Sequence, residues 1–209
     1  MTPWILSWNI SDAVKNKSLD TQLLDRAIVF AVQAHAGTER RGKGFPYIVH
    51  PMEAVSIVAT MTSDQEILAA AALHDVVEDT DVTLDEIRRI FGDRIAGLVD
   101  AESDRQGQDL DWKSRKADSL RRLEAASRDE KMVAMGDKLS NMRAIARDYT
   151  TLGESFWDRF HIKEKAVHAW RYHALADALA SLSDTYAYQE FKFLVDRIFP
   201  EEQPSIWNH

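Results

Sequence analysis

The chain has 209 residues and a formal net charge of −8, and its length suits one domain with a substantial core. The acidic balance argues against an extended nucleic-acid surface, which needs a basic face. The absence of cysteine excludes disulfides, thiolate metal ligands and cysteine nucleophiles.

The sequence predicts helices along nearly the whole chain. Glycine and proline are sparse, at 8 and 5 residues, and no run alternates convincingly between apolar and polar residues. We therefore expect an all-α fold with a single domain over 1–209, comprising a core at about 20–150 and a C-terminal helical extension at about 151–200. The predicted helices cover 20–36, 51–62, 64–80, 83–92, 93–104, 112–126, 129–148, 155–182 and 184–199.

A basic, glycine-rich loop at 37–49 separates the first two predicted helices. Pro51 suits the first turn of the second helix, which leaves His50 at or near its N-cap. The third helix carries the run HDVVEDT. Since positions three and four apart share one helix face, this run would gather its ionisable side chains on one short patch, namely His74, Asp75, Glu78 and Asp79.

That patch is a candidate metal site. It directly follows the apolar run LAAAAL, and burying so much charge is expensive unless something such as a divalent cation compensates it. His74 and Asp75 offer one nitrogen and one oxygen ligand, a set that suits a hard or borderline cation. Further ligands must come from elsewhere, and the candidates are His50 and Asp137, a carboxylate inside the apolar helix KMVAMGDKLSNM.

Each part of this pattern also has a plainer explanation. A His-Asp dipeptide is common, and carboxylates near a helix C-terminus can simply be solvated. Asp137 can pair with Lys138 or with a neighbouring arginine. The combination of HDxxED with a preceding HP and a later DKLxN nevertheless favours a metal site.

Five segments carry a resemblance to a known family. They are AVQAHAGTERR, FPYIVHP, AAALHDVVEDT, FGDRIAGLV and GDKLSNMR, and they extend over about residues 22–148. The chain resembles HD-superfamily phosphohydrolases, specifically the hydrolase domain of RelA/SpoT-type proteins, and among these the stand-alone small alarmone hydrolases. The resemblance implies a helical bundle of the HD-domain type.

The resemblance also assigns roles to individual residues. It implies that one Mn²⁺ is held by His50, His74, Asp75 and Asp137. Glu78 and Asp79 match the acidic pair that positions and activates the attacking water. The predicted substrate contacts are Arg40, which matches an arginine that stacks on guanine, Arg41 at a phosphate-neutralising position, Asn141, and the candidate cation Lys138.

The implied activity is hydrolysis of guanosine 3′-diphosphates, (p)ppGpp, to GDP or GTP and pyrophosphate. Departures from the family pattern at Thr38, Phe45 and Ala134 leave a second hypothesis open, in which the same site removes the 2′-phosphate of NADPH or cuts another nucleotide. An inactive nucleotide-binding regulator ranks last, because all six metal and acidic positions are filled. The length leaves no room for a complete synthetase domain, so we expect hydrolase activity only.

The histidine pattern limits the number of metal ions. No histidine lies between His74 and His161, whereas dinuclear HD phosphodiesterases use additional histidines in that stretch, so one metal is predicted. We expect His35 to organise structure, and His161, His168 and His173 to be packing or surface residues.

Partners and location follow from the same observations. The expected partner is a small nucleotide, without extended nucleic acid or membrane, and the expected state is a monomer or homodimer. The lack of cysteine fits a reducing cytoplasm, and the N-terminus shows no secretion signal. A cytoplasmic location is therefore expected.

Overall fold

The computed structural model describes residues 21–40, 42–103 and 112–200. Within these ranges the fold is helical, and the β pairing is limited to an isolated bridge between Glu39 and Pro46. The prediction of an all-α fold is confirmed. The α-helices are α1 (Gln22–Ala34), α2 (Val49–Val58), α3 (Gln65–Leu73), α4 (Val76–Asp79), α5 (Leu84–Phe91), α6 (Asp93–Glu102), α7 (Trp112–Ala125), α8 (Arg128–Leu152), α9 (Lys165–Ala178) and α10 (Tyr186–Ile198).

Side chains in the preceding turns start several of these helices. The Asp64 carboxylate accepts a hydrogen bond from the backbone N–H of Glu66 at the start of α3. Capping boxes open α5, where Thr83 and Glu86 exchange hydrogen bonds, and α8, where Ser127 and Glu130 do the same. Each box satisfies backbone N–H groups that lack partners within the helix.

Helix α3 lies at the centre of the bundle. Its residues 67–73 are all buried, and it packs against α1, α2, α6 and α8. The alanines of this stretch have no side chain beyond Cβ, so neighbouring helices can approach closely. The C-terminal end of α3 therefore delivers His74 into the protein interior, where it is 2% exposed.

Helices α2 and α8 approach each other at Gly136. A Cβ atom built on this residue would lie 2.8 Å from Cγ2 of Val58 and 3.0 Å from the carbonyl oxygen of Ala54. Glycine in a helix costs about 1 kcal/mol relative to alanine, and the tight packing against α2 accounts for its presence. The same approach places His50 of α2 opposite Asp137 of α8.

Two predicted helices are wrong as continuous elements. The helix expected over 64–80 is divided into α3 and α4, with His74 and Asp75 in the turn between them. The helix expected over 155–182 is replaced by a 3₁₀ segment at Gly153–Arg159, then α9, then a 3₁₀ segment at Ala180–Leu182.

Aromatic packing explains the second correction. Phe156 and Trp157 are buried and make ring contacts with each other and with Phe160. This tertiary contact outweighs the local tendency to continue a helix. Helices α9 and α10 return to the bundle, and α10 packs against α8. No helix in the described ranges is long and apolar enough to cross a membrane.

Candidate metal and substrate site

Three parts of the fold bring the predicted metal ligands together. The Nε2 atom of His50, in the first turn of α2, lies 3.3 Å from Nε2 of His74 and 3.3 Å from Oδ2 of Asp75. The Nε2 atom of His74 lies 3.0 Å from the same Asp75 oxygen. Asp137 completes the cluster from α8, with Oδ1 at 3.1 Å from His50 Nε2 and 3.8 Å from His74 Nε2.

Hydrogen bonds on the outer nitrogens determine how the two imidazoles face this cluster. Nδ1 of His74 lies 2.8 Å from the carbonyl oxygen of Ala71 and must donate to it. Nδ1 of His50 lies 2.8 Å from the hydroxyl of Ser140, and that hydroxyl donates a hydrogen bond to Glu53 at 2.8 Å. Both Nδ1 atoms therefore carry the proton, and in the neutral rings both Nε2 lone pairs point into the cluster.

This arrangement fits a divalent cation. Two nitrogen lone pairs and two carboxylates facing one another at about 3 Å repel unless a positive charge lies between them. A set of imidazole and carboxylate ligands suits divalent transition metals such as Mn²⁺, Fe²⁺ or Zn²⁺. His50, His74 and Asp75 alone already form a group compact enough to hold a metal ion.

The charges of the cluster shift its protonation equilibria. Burial lowers the pKa of His74, but the carboxylates of Asp75 and Asp137 outweigh burial and raise it to about 9. Burial raises the pKa of both aspartates, but His74 and His50 beside Asp75, and Lys138 and His50 beside Asp137, hold these pKa values well below the usual range. Both carboxylates are therefore ionised, as metal ligands must be.

Asp137 is oriented by neighbours on its own helix. Its Oδ1 accepts a hydrogen bond from the amide of Asn141, and its Oδ2 accepts one from Lys138 at 2.5 Å. Lys138 also pairs with Glu102 at 3.1 Å. The plainer explanation, an ion pair between Asp137 and Lys138, is thus present, but it uses Oδ2 and leaves Oδ1 facing the histidines.

Tyr47 is a site residue that sequence reasoning missed. Its hydroxyl donates to Oδ2 of Asp75 at 2.6 Å, and burial together with Asp75 raises the pKa of this phenol far above its usual range. Arg40 lies over the Tyr47 ring and donates to Asn141 at 2.6 Å. The family-like segment FPYIVHP contains Tyr47, but a tyrosine in a loop carries no ligand pattern of its own.

The predicted acidic pair lies in α4, beyond the turn that holds Asp75. Glu78 and Asp79 are both exposed, and the backbone N–H of Asp79 donates to the carbonyl of Asp75 at 2.9 Å. The turn at His74 and Asp75, rather than one continuous helix face, therefore sets where these carboxylates lie relative to the cluster.

A cavity of about 840 Å³ lies next to the residues that orient Asp75 and Asp137, because Tyr47, Lys138 and Asn141 line it, whereas the four clustered residues do not. The predicted substrate residues Arg40, Lys138 and Asn141 line it, whereas Arg41 lies outside the described residues. Arg143, a cation on the same helix as Lys138, does not line this cavity and forms ion pairs with Glu53 and Glu190.

The C-terminal part of the chain supplies lining residues that the sequence did not indicate. They include Arg159, Phe160, His161, His168, Arg171 and Tyr172. Arg40, Lys43, Lys138, Arg159 and Arg171 outnumber the lining carboxylate Asp148, so this cavity is cationic although the chain as a whole is acidic.

Three further histidines, His35, His168 and His173, make contacts within the described part of the fold. His168 stacks on Trp157 with ring centroids 4.9 Å apart and bonds the carbonyl of Ile162, and His173 bonds the carbonyl of Phe199. The ring of His35 lies 4.8 Å from that of Tyr47. Burial lowers the pKa of His35, and neither of its ring nitrogens finds a hydrogen-bond partner among the described residues.

Comparison with known proteins gives a family match and several relatives. The family model described as "HD domain" matches residues 27–155. The GTP pyrophosphokinase rsh of Brucella ovis is 39% identical over 127 residues, which cover 59% of this chain and 17% of that protein. The guanosine-3′,5′-bis(diphosphate) 3′-pyrophosphohydrolase of Aquifex aeolicus is 36% identical over 125 residues, covering 58% of this chain and 18% of that protein. The match therefore spans less than a fifth of the length of these curated relatives.

Solved structures share the fold. A metazoan ortholog of SpoT, a protein that hydrolyses ppGpp and plays a role in starvation responses, aligns with a TM-score of 0.67 at 21% identity, covering 88% of this chain and 97% of that one. The protein lmo0812 from Listeria monocytogenes aligns with a TM-score of 0.66 at 27% identity, covering 73% of this chain and 99% of that one.

Proposed function

This chain belongs to the HD-domain family, and from that premise we propose that it hydrolyses guanosine 3′-diphosphate alarmones, (p)ppGpp, to GDP or GTP and pyrophosphate. The observation that carries the proposal is the convergence of His50, His74, Asp75 and Asp137 beside a cationic cavity of about 840 Å³. A pocket of this size is in the range of small-molecule sites, about 300–1,000 Å³, and its charge suits polyphosphate.

The four clustered residues would hold one divalent metal, which we propose is Mn²⁺. When bound, such an ion supplies Lewis acidity and lowers the pKa of water toward neutrality. Tyr47 would keep Asp75 in place through its 2.6 Å hydrogen bond, while Asn141 and Lys138 would do the same for Asp137.

Glu78 and Asp79 would orient the attacking water and accept its proton. Both side chains are exposed, so their carboxylates are accessible from solvent next to the turn that holds His74 and Asp75. The water oxygen would form a bond to the phosphorus nearest the ribose, and the bond from that phosphorus to the 3′ oxygen would break. Pyrophosphate would leave with the water oxygen, and the 3′ oxygen of the nucleoside would take up a proton.

The cavity cations would neutralise the substrate. Lys138, which lines the cavity and bonds Asp137, would contact the reacting phosphate, with Arg41 proposed from the sequence as a further phosphate contact. Arg40 would stack on the guanine base, a planar contact that guanidinium groups favour. Its guanidinium already lies 5.3 Å from the centre of the Tyr47 ring.

A second candidate substrate is NADPH, and one observation favours it. A further cavity of about 320 Å³, lined by Phe45, Val49 and Arg147 among others, shares Arg40, Lys43 and Ala144 with the larger one. Two adjoining cationic cavities could accommodate a dinucleotide longer than ppGpp. Of the three departures that raised this alternative, Ala134 is fully buried in α8 and makes no contact with either cavity.

The test compares substrates on purified protein loaded with Mn²⁺. Pyrophosphate from ppGpp, and phosphate from NADPH, are measured for the wild type, Asp75→Ala and Glu78→Gln. We expect the wild type to release pyrophosphate. Asp75→Ala should lose both metal binding and pyrophosphate release, whereas Glu78→Gln should retain the metal and lose pyrophosphate release. Turnover of NADPH but not ppGpp would make the second candidate correct, and ppGpp binding without turnover would make the chain a regulator.

We propose further that the reaction takes place in the cytoplasm and that the chain acts as a monomer or homodimer.

A further inference from the structure

We propose that Ser140 and Glu53 are positioning residues that hold His50 in its metal-binding tautomer, and that α10 supports them through Arg143 and Glu190. The proposal rests on the metal site proposed above. It adds a chain of hydrogen bonds, here called the relay, that extends from His50 through Ser140, Glu53 and Arg143 to Glu190 in α10.

The relay begins at the outer nitrogen of His50. This imidazole is 3% exposed, and its Nδ1–H needs a hydrogen-bond partner. Ser140, itself 2% exposed, offers its hydroxyl oxygen at 2.8 Å. Glu53 accepts a hydrogen bond from that hydroxyl at 2.8 Å, so the Ser140 oxygen can act only as an acceptor toward His50.

Glu53 is in turn held by a cation. Its Oε2 accepts from Ser140, and its Oε1 accepts from Arg143 at 3.3 Å. Arg143 is fixed by a two-point ion pair with Glu190, in which the Nε and Nη2 atoms of Arg143 each lie 2.7 Å from a carboxylate oxygen of Glu190. Glu190 belongs to α10 and lies beyond the segment matched by the HD-domain family model.

The first two hydrogen bonds of the relay point from His50 toward Glu53. A carboxylate that accepts from a hydroxyl, which accepts from an imidazole N–H, fixes the tautomer and the orientation of that imidazole. The opposite ring nitrogen is His50 Nε2, which lies 3.1 Å from Asp137 and 3.3 Å from Asp75. Without the relay, the protein would offer no acceptor to fix the proton on Nδ1 of His50, and a proton on Nε2 would block metal binding at that nitrogen.

The decisive variant is Ser140→Ala, which removes the acceptor and little volume. Isothermal titration with Mn²⁺ should show affinity about 10- to 100-fold weaker than wild type, the usual effect of losing such an outer contact. At saturating Mn²⁺, kcat should stay within about threefold of wild type, because Ser140 touches a ligand and not the substrate. Visible bands of the Co²⁺-loaded protein should also shift, since they report ligand geometry directly.

Three further variants separate positioning from general damage. Ser140→Thr keeps the hydroxyl and should restore most of the Mn²⁺ affinity. Glu53→Gln should weaken Mn²⁺ binding more than Glu190→Gln, because Glu53 contacts Ser140 directly and Glu190 acts through Arg143. The matched control is Ser56→Ala on α2, an exposed serine whose hydroxyl bonds the Met52 carbonyl. It should leave affinity and spectrum unchanged.

The outcomes are distinguishable. Wild-type Mn²⁺ affinity and an unchanged Co²⁺ spectrum in both Ser140→Ala and Glu53→Gln would overturn the relay while leaving the metal site intact. A wild-type protein that binds no Mn²⁺ would overturn the metal site and the relay with it. Equal loss of affinity in Ser140→Ala and Ser140→Thr would also overturn the proposal, because the hydroxyl would then not matter.

Discussion

The cluster of His50, His74, Asp75 and Asp137 attracts protons for the same reason that it attracts a metal ion. In the metal-free protein, the carboxylates raise the pKa of His74 to about 9 despite its burial. A metal ion needs the neutral imidazole, so it must displace that proton. At the scale of the residue, metal binding and protonation are therefore competing reactions at one nitrogen.

This competition predicts a pH dependence of metal affinity. Below about pH 9, the apparent Kd for Mn²⁺ should rise as the pH falls, by up to about tenfold per pH unit, because one proton leaves His74 for each metal bound. Titration calorimetry in buffers of different ionisation enthalpy measures both the affinity and the protons released. An affinity that stays constant from about pH 8 to about pH 6, with no proton release, would show that His74 is not a ligand.

Residue types explain which parts of the site the sequence could predict. Histidine and aspartate in the HD and DKLxN patterns point to a metal by their chemistry, and the structure places them together. Tyr47 and Ser140 use hydroxyl groups to hold Asp75 and His50. Hydroxyl residues serve many purposes in proteins, so only the folded structure reveals which of them contact a ligand.

At the scale of elements, the site depends on one helix break and one close helix contact. The alanine run and the segment VVED both favour helix, so the sequence predicted a single element through His74 and Asp75. In the structure the His74 Nδ1–H bonds the carbonyl of Ala71, and α4 restarts after Asp75. The imidazole of His74 thus bonds the carbonyl to which the N–H of Asp75 would bond in a continuous helix.

The close contact between α2 and α8 can be tested at Gly136. In an open helix, Gly136→Ala would stabilise the protein by about 1 kcal/mol. Here the added Cβ would lie 2.8 Å from Val58 and 3.0 Å from the Ala54 carbonyl, and overpacking costs about 1–3 kcal/mol. We therefore expect a lower free energy of unfolding in urea. We also expect weaker Mn²⁺ binding, because α8 bears Asp137, and a shift of α8 away from α2 would move Asp137 away from His50.

Gly97 provides the matched control for that change. It is an exposed glycine in α6, and a Cβ there would meet nothing within 4 Å. Gly97→Ala should raise the free energy of unfolding by about 0.5–1 kcal/mol through helix propensity alone. If both substitutions stabilised the protein equally, the contact at Gly136 would not limit the approach of the two helices.

At the scale of the whole molecule, the C-terminal extension completes the cavity. Its described part contributes Arg159, Arg171 and Tyr172 to the lining, and α10 contributes Glu190 to the contacts behind His50. The sequence predicted helices here but no role for them, because the contacts join residues far apart in the chain. Arg159, for example, donates to the carbonyl of Gly42 at 3.0 Å.

Arg159 tests this contribution to substrate binding. Arg159→Ala removes a cavity cation that also bonds Gly42 and Asp148. We expect KM for ppGpp to rise about tenfold, equivalent to about 1.4 kcal/mol, with Mn²⁺ affinity unchanged. Arg197→Ala, at an exposed arginine in the last turn of α10, is the control and should leave KM as it is. An unchanged KM in Arg159→Ala would exclude this arginine from substrate binding.

The central claim, that one metal ion held by four residues drives hydrolysis of the 3′-diphosphate, has a direct test. Chelated protein is titrated with Mn²⁺ in ¹⁸O-labelled water while pyrophosphate release from ppGpp is followed. We predict no release from the chelated protein, saturation at one Mn²⁺ per chain, and the label in pyrophosphate rather than in GDP. Full release without metal, or release that persists in Asp137→Ala, would contradict the claim.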